Sequence, residues 1–392
     1  MWESFIEAVT KVNDWVNGVV WGWPMIIMIL GTGILLTVRT RVLQVRKFGE
    51  SMSTTIVPAV KDMGKKKNKK DKNAVSQFEA FSAAISGTVG TGNIIGVTSA
   101  ILTGGPGAVL WMWISAFFGM VTNYSENVLG LYYRKKEKDG SFSGGAFYYI
   151  ANGLKQRWLG MLAAIFCLLA AVGMSGVQTN KITGSYTSVL GNDSAAVKLI
   201  IGGIVAFFAA VVIIGGIKRI GRIASMLVPF MSLLFIAMAF VIIGKNYTAV
   251  PETFRLIFTS AFSSKAVAGG VGGFAFSQII KKGLARGVFS NEAGLGSSVI
   301  AHSASETREP VRQGLWGIFE VFFDTFVICT LTALVILTTN IGSGAYENGS
   351  FFGAQRVFFK PRHIRYGGLS YNSSALCLYH RACVVVLRRK GG

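Results

Sequence analysis

"AISGTVGTGNIIGV", residues 84–97, decides how the chain folds. The stretch lies inside a long apolar run, yet it carries Gly87, Gly90, Gly92 and Gly96 together with Thr88 and Thr91. Backbone N–H and C=O groups left unpaired in hydrocarbon cost several kcal/mol each, so a bilayer-crossing segment with a break of its own needs another partner for them. Substrates and ions are such partners. A half-helix starting near Gly90–Asn93 points free N–H groups and a partial positive charge at an anion such as a carboxylate. A half-helix ending near Ser86–Val89 offers free carbonyls to a cation such as Na⁺. Packing is the competing explanation, because Gly92 and Gly96 have the small-xxx-small spacing that lets helices approach closely. That spacing accounts for two glycines but not for Thr88, Thr91 and Asn93 clustered with Gly87 and Gly90.

The composition supports a membrane setting. Of 392 residues, 51% are hydrophobic and 15% charged, and 28 are phenylalanine. Apolar windows long enough to cross about 30 Å of hydrocarbon recur along the chain. They fall near residues 19–38, 79–103, 108–132, 158–190, 198–217, 223–244, 264–281 and 314–340. The class is an all-α membrane protein. The start is acidic (Glu3, Glu7, Asp14), unlike the basic start of a cleavable leader. The formal net charge is +21. These charges sit in short loops between apolar runs, which is the positive-inside pattern and no sign of nucleic-acid binding. The loop 39–78 holds eleven Lys/Arg against three acids. Placing it in the cytoplasm puts the N-terminus outside. Inside loops then fall near 133–157, 218–222 and 281–313, and the outside loops carry few basic residues. Cys167, Cys329, Cys377 and Cys383 show no paired spacing, which argues against a disulfide framework.

A second glycine-rich interruption lies at "AVAGGVGGFAFSQIIKKG", residues 266–283. Topology runs it opposite to the first. Two broken spans in opposite directions are what an inverted repeat predicts. Gln178 and Asn180 are polar within the long span 158–190, where such groups face a cavity or a neighbouring helix. Glu320 and Asp324 lie four apart on the last span; gating carboxylates and structural partners of basic residues both remain open. Catalysis has little support: His302 stands isolated in a polar segment, and no metal-ligand or nucleophile spacing occurs. From Gln355 onward there are eight Lys/Arg and no Asp or Glu. This abrupt shift predicts a tail foreign to the fold, as from a frameshift or truncation.

"SGTVGTGNIIG" at 86–96, "GGPGAVLWMW" after it, "GGAFYYI" at 144–150 and "NEAGLGS" at 291–297 resemble the alanine/glycine:cation symporter family, the sodium:alanine symporters. The resemblance runs from about Trp2 to Gln355. It implies leucine-transporter-like inverted five-helix repeats behind one extra N-terminal helix. The segments would be 1–78 (N-terminal helix and basic loop), 79–250 (first repeat), 251–354 (start of the second repeat) and 355–392 (aberrant tail). It also implies sodium-coupled symport of alanine or glycine at the cytoplasmic membrane. The amides of Gly90, Thr91 and Gly92 would hold the substrate carboxylate. Sodium would lie against Ser86, Thr88, Val89 and Asn93. Gln178, Gly273, Phe274, Phe276 and Gln278 would wall the pocket. The family fold needs three more spans after residue 340, and the chain shows no sufficiently apolar run for them. The alternatives are therefore an inactive truncated remnant and an ion channel. The partners implied are a small neutral amino acid, sodium and the lipid bilayer.

Overall fold

The computed structural model of the chain describes residues 2–62, 75–138, 140–192, 194–262, 270–339, 364–366 and 369–371. Helices dominate. An N-terminal group comprises α1 (Trp2–Val20), α2 (Trp23–Arg39), α3 (Leu43–Arg46) and α4 (Phe48–Asp62). The glycine-rich span follows as two helices, α5 (Gln77–Thr88) and α6 (Thr91–Gly104). Next come α7 (Ala108–Tyr132), a small hairpin of β1 (Lys135–Lys136) and β2 (Phe142–Ser143), and α8 (Ala146–Gly153). The chain continues through α9 (Arg157–Leu190), α10 (Ala195–Ile213), α11 (Gly216–Lys245) and α12 (Val250–Ala261). Beyond them lie α13 (Gly270–Asn291), α14 (Ser298–Ser303) and α15 (Pro310–Val321). The last runs through a π-helical stretch, Phe322–Cys329, into α16 (Thr330–Thr338).

Among the described residues, six helical segments are long and apolar enough to cross a membrane: 6–39, 77–104, 157–187, 195–213, 216–245 and 310–338. The chain is thus a multi-pass, all-α membrane protein. The predicted span at 108–132 does not meet that apolar standard, for a physical reason, and the predicted span at 264–281 lies partly outside the described residues. Helix α7 is enclosed by α2, α13 and α15, so its interior face carries Asn123, Glu126 and Asn127 rather than lipid-compatible residues. In contrast, α9 and α10 expose apolar side chains such as Phe166, Leu169, Ile200 and Phe207 along their length. Two predicted loops are corrected. Helix α12 occupies most of 245–263, and α13 carries on ten residues beyond 281 to Asn291. The tail expectation falls outside the described residues, apart from β3 (Ile364–Tyr366) and β4 (Leu369–Tyr371), paired antiparallel with Ile364 opposite Tyr371.

Small residues set the central packing. A Cβ on Gly283 would lie 2.5 Å from the Ala108 carbonyl oxygen, and one on Gly287 2.7 Å from Ser115 Cβ, so this pair lets α13 press against α7. Gly314 and Gly317 do the same for α15, meeting Val128 and Asn123. The main apolar core joins Phe81, Ile85, Val97, Ile101, Met112 and Trp316. Helix α5 starts on a capping box, with Ser76 Oγ accepting from Glu79 N at 3.2 Å and Ser76 N donating to Glu79 Oε2 at 2.9 Å.

Candidate functional site

Between α5 and α6 the backbone is extended at Val89 (φ −86°, ψ 108°) and Gly90 (φ −173°, ψ −150°). The helical ladder stops there. Val89 N still donates to Ile85 O at 2.8 Å, but Gly90 N turns to the Asn93 side chain, donating to Oδ1 at 2.9 Å. Asn93 N donates back to Gly90 O at 3.2 Å. Among the described residues the Val89 carbonyl receives no backbone bond. A helix C-terminus and a helix N-terminus therefore meet, and such ends leave carbonyls and amides without intrahelical partners.

Three other elements close on this gap. From α9, Gln178 Oε1 accepts from Thr91 Oγ1 at 2.5 Å. From α13, Arg286 Nη2 donates to Gly92 O at 2.5 Å. From the π-helical stretch, Asp324 Oδ1 accepts from Asn93 Nδ2 at 2.5 Å, and Asp324 Oδ2 accepts from Ser290 Oγ at 2.9 Å and Thr325 Oγ1 at 3.0 Å. Cys329 Sγ lies 3.4 Å from Asn93 Nδ2 and 3.2 Å from Ser290 Oγ. Asp324 is fully buried. Its three contacts are all neutral donors, and among the described residues no Lys or Arg forms an ion pair with it. Just past the π-helical stretch, Thr330 Oγ1 donates to the Thr325 carbonyl at 3.3 Å while accepting from Trp113 Nε1 at 2.8 Å. π-helical stretches of this kind gather at functional sites.

The candidate residues fare unequally. Gly90, Thr91, Gly92, Asn93 and Gln178 converge on the gap. Ser86 and Thr88 turn their hydroxyls to their own helix, at 2.7 Å from Ala83 O and 3.3 Å from Ile85 O. Phe276 and Gln278 are half-buried in α13, and no hydrogen bond among the described residues joins Gln278 to the gap. The side chains of Gly273 and Phe274 lie outside the described residues, as do residues 263–269; of the second expected interruption, 266–283, everything from Gly270 onward is helical in α13, so no break is seen there. Arg286, Ser290 and Cys329 also reach the gap, and the sequence signal for Arg286 is a cation beside an apolar run.

A second polar cluster lies one turn along α15. The isolated reading of His302 is corrected: it is fully buried, with Nε2 3.0 Å from Glu320 Oε2 and Nδ1 2.7 Å from Gln313 Nε2. The histidine belongs to α14, which packs on α5 and α7 and so faces inward despite its polar sequence. Arg134 holds the following segment, donating to Ser303 O at 3.0 Å and to Ser305 O and Thr307 O, with its guanidinium 3.8 Å above the Phe142 ring. In "NEAGLGS", Gly294 (φ +87°) and Gly296 (φ +75°) turn the backbone so that Gly294 N reaches Glu126 Oε2 at 2.9 Å.

A split membrane helix with a buried carboxylate at the break suits an ion-coupled carrier. Comparison with known proteins gives the lineage. A family model for the sodium:alanine symporter family matches residues 6–357. The chain belongs to the sodium:alanine symporter family. Among its relatives, an uncharacterised transporter of Haemophilus influenzae is 40% identical over 349 residues, 89% of this chain and 73% of that protein. The sodium/alanine symporter AgcS of Methanococcus maripaludis is 40% identical over 336 residues, 84% of this chain and 71% of its own length. The amino-acid carrier protein AlsT of Bacillus subtilis is 36% identical over 342 residues, 86% and 68% of the two chains. This member of the sodium:alanine symporter family is an amino-acid symporter of the sodium/alanine type and not an enzyme.

Proposed function

We propose that the chain moves a small neutral amino acid, alanine or glycine, together with sodium by alternating access at the cytoplasmic membrane. The observation that carries this reading is the break at Val89–Gly90 with Asn93 bridging it to the buried Asp324. The amides of Gly90, Thr91 and Gly92 take the substrate carboxylate, aided by the partial positive charge of the α6 N-terminus. Gln178, held on Thr91, borders the substrate, and Gly273, Phe274, Phe276 and Gln278 line the side-chain pocket. Sodium sits between the carbonyls of Ser86, Thr88 and Val89 and the side chain of Asn93, with Asp324 neutralising its charge.

Sodium and zwitterion together satisfy backbone groups that hydrocarbon cannot, so the site closes only when both are present. The reading places leucine-transporter-like inverted repeats over 79–250 and from 251 to 354, with the N-terminus outside and the loop 39–78 in the cytoplasm. The test is radiolabelled alanine and glycine uptake into vesicles carrying the purified 392-residue chain. An inward sodium gradient should drive accumulation that a choline gradient does not. Equal uptake under both gradients overturns sodium coupling, and a sodium current without amino acid favours a channel.

A further inference from the structure

Arg286 is a guanidinium inside a membrane protein, one helical turn before Ser290 on α13. Ionisable groups in that position are costly and tend to be functional. Its Nη2 grips the Gly92 carbonyl, while its Nε is buried without a partner. The guanidinium lies on Gly96: a Cβ there would sit 1.1 Å from Nη2 and 1.6 Å from Cζ. The glycine that small-residue spacing assigned to helix packing is in fact a socket for this side chain. Asp324 lies close by, bonded to Asn93 next to Gly92, and among the described residues no Lys or Arg pairs with it. Ser290, on the same face of α13, already bonds that carboxylate.

We propose that Arg286 couples cation occupancy at Asp324 to the grip on the substrate. With sodium on Asp324, the guanidinium stays on the Gly92 carbonyl and holds the first turn of α6 against α13. Without sodium, the buried carboxylate attracts the nearest cation. Arg286 then swings from the Gly96 socket to Asp324 and releases Gly92, whose amide belongs to the substrate-binding turn. A buried carboxylate without a counter-charge is expensive, and the flexible stem of arginine spans one helical turn. The coupling is reciprocal, so substrate tightens sodium binding by the same factor. The inference rests on the reading of Asp324 and Asn93 as a cation site.

Equilibrium binding to the purified full chain tests it, with radiolabelled L-alanine, glycine and L-glutamine as probes in sodium chloride and in choline chloride. Sodium should tighten binding of at least one probe by roughly five- to a hundredfold. R286Q should bring that ratio close to one by weakening binding in sodium. R286K, which keeps the charge but loses the planar fork, should retain part of it. G96A fills the socket without changing any charge and should lower the ratio as R286Q does. If a variant does not fold, the other two carry the test. Equal weakening in both salts, with the ratio intact, assigns Arg286 a purely structural role and overturns the inference. No sodium effect on the unaltered chain overturns the sodium-site reading, and this inference with it. A sodium effect that survives in R286Q overturns the inference alone.

Discussion

Asn93 Nδ2 meets Asp324 Oδ1 at 2.5 Å across 231 residues of chain. The same amide caps the break through its oxygen, so one side chain ties the gap in the first broken span to the π-helical stretch. Asn93→Ala removes both bonds. Each is worth about 1–1.5 kcal/mol. Apparent sodium affinity in alanine uptake should fall roughly tenfold. Unchanged sodium dependence in a titration of uptake rates counts against Asn93 as a ligand.

His302 Nε2 lies 3.0 Å from the buried carboxylate of Glu320, whose other oxygen has no partner among the described residues. Truncating one member of a buried pair strands the other, at a cost of about 3–5 kcal/mol. His302→Ala should therefore lower the unfolding midpoint in detergent far more than Glu320→Gln, which leaves no charge to strand. Midpoints that fall equally would show that the pair's charge is irrelevant to stability.

Gly287 faces Ser115 with no room for a methyl group, whereas a Cβ on Gly176 meets nothing within 4 Å. Gly287→Ala should cost about 1–3 kcal/mol as α13 is pushed off α7. Gly176→Ala should be neutral or slightly stabilising, since alanine suits a helix better than glycine by about 1 kcal/mol. Thermal melts of the two variants side by side check the contrast.

Arg134 donates to three backbone carbonyls in the 303–307 segment. Arg134→Ala should release that segment without unfolding the helices around it. Limited trypsin digestion reads this directly: cleavage after Arg308 should accelerate several-fold while the unfolding free energy falls by about 1–2 kcal/mol at most. Unaltered cleavage would mean that the Val75–Ser305 backbone bridge holds the segment by itself.

The break was legible because glycine and threonine crowd a place where hydrocarbon demands an unbroken ladder, and the helices do part at Val89–Gly90. The spans on the lipid side were legible for the same reason, composition. Three features were not. Charge led the reading of "KKGLARG" toward a loop, whereas Arg286 sits in a helix whose polar residues find partners on α6 and the π-helical stretch. His302 finds Gln313 and Glu320 on another helix, 11 and 18 residues away, and spacing across a turn carries no periodic signal. Glu320 and Asp324 share a face in an ideal α-helix. The π-helical stretch beginning at Phe322 alters that register, and the two carboxylates serve different clusters.

The split helix has a mechanical consequence. Its first half, α5, packs on α11 and α14, whereas its second half, α6, packs on α13 and α16. The two extended residues between them form a swivel, with Gly90 adding no side chain to obstruct it. A tilt of one half, carried by its own neighbours, would open a path on its side of the break while the other half keeps its seal.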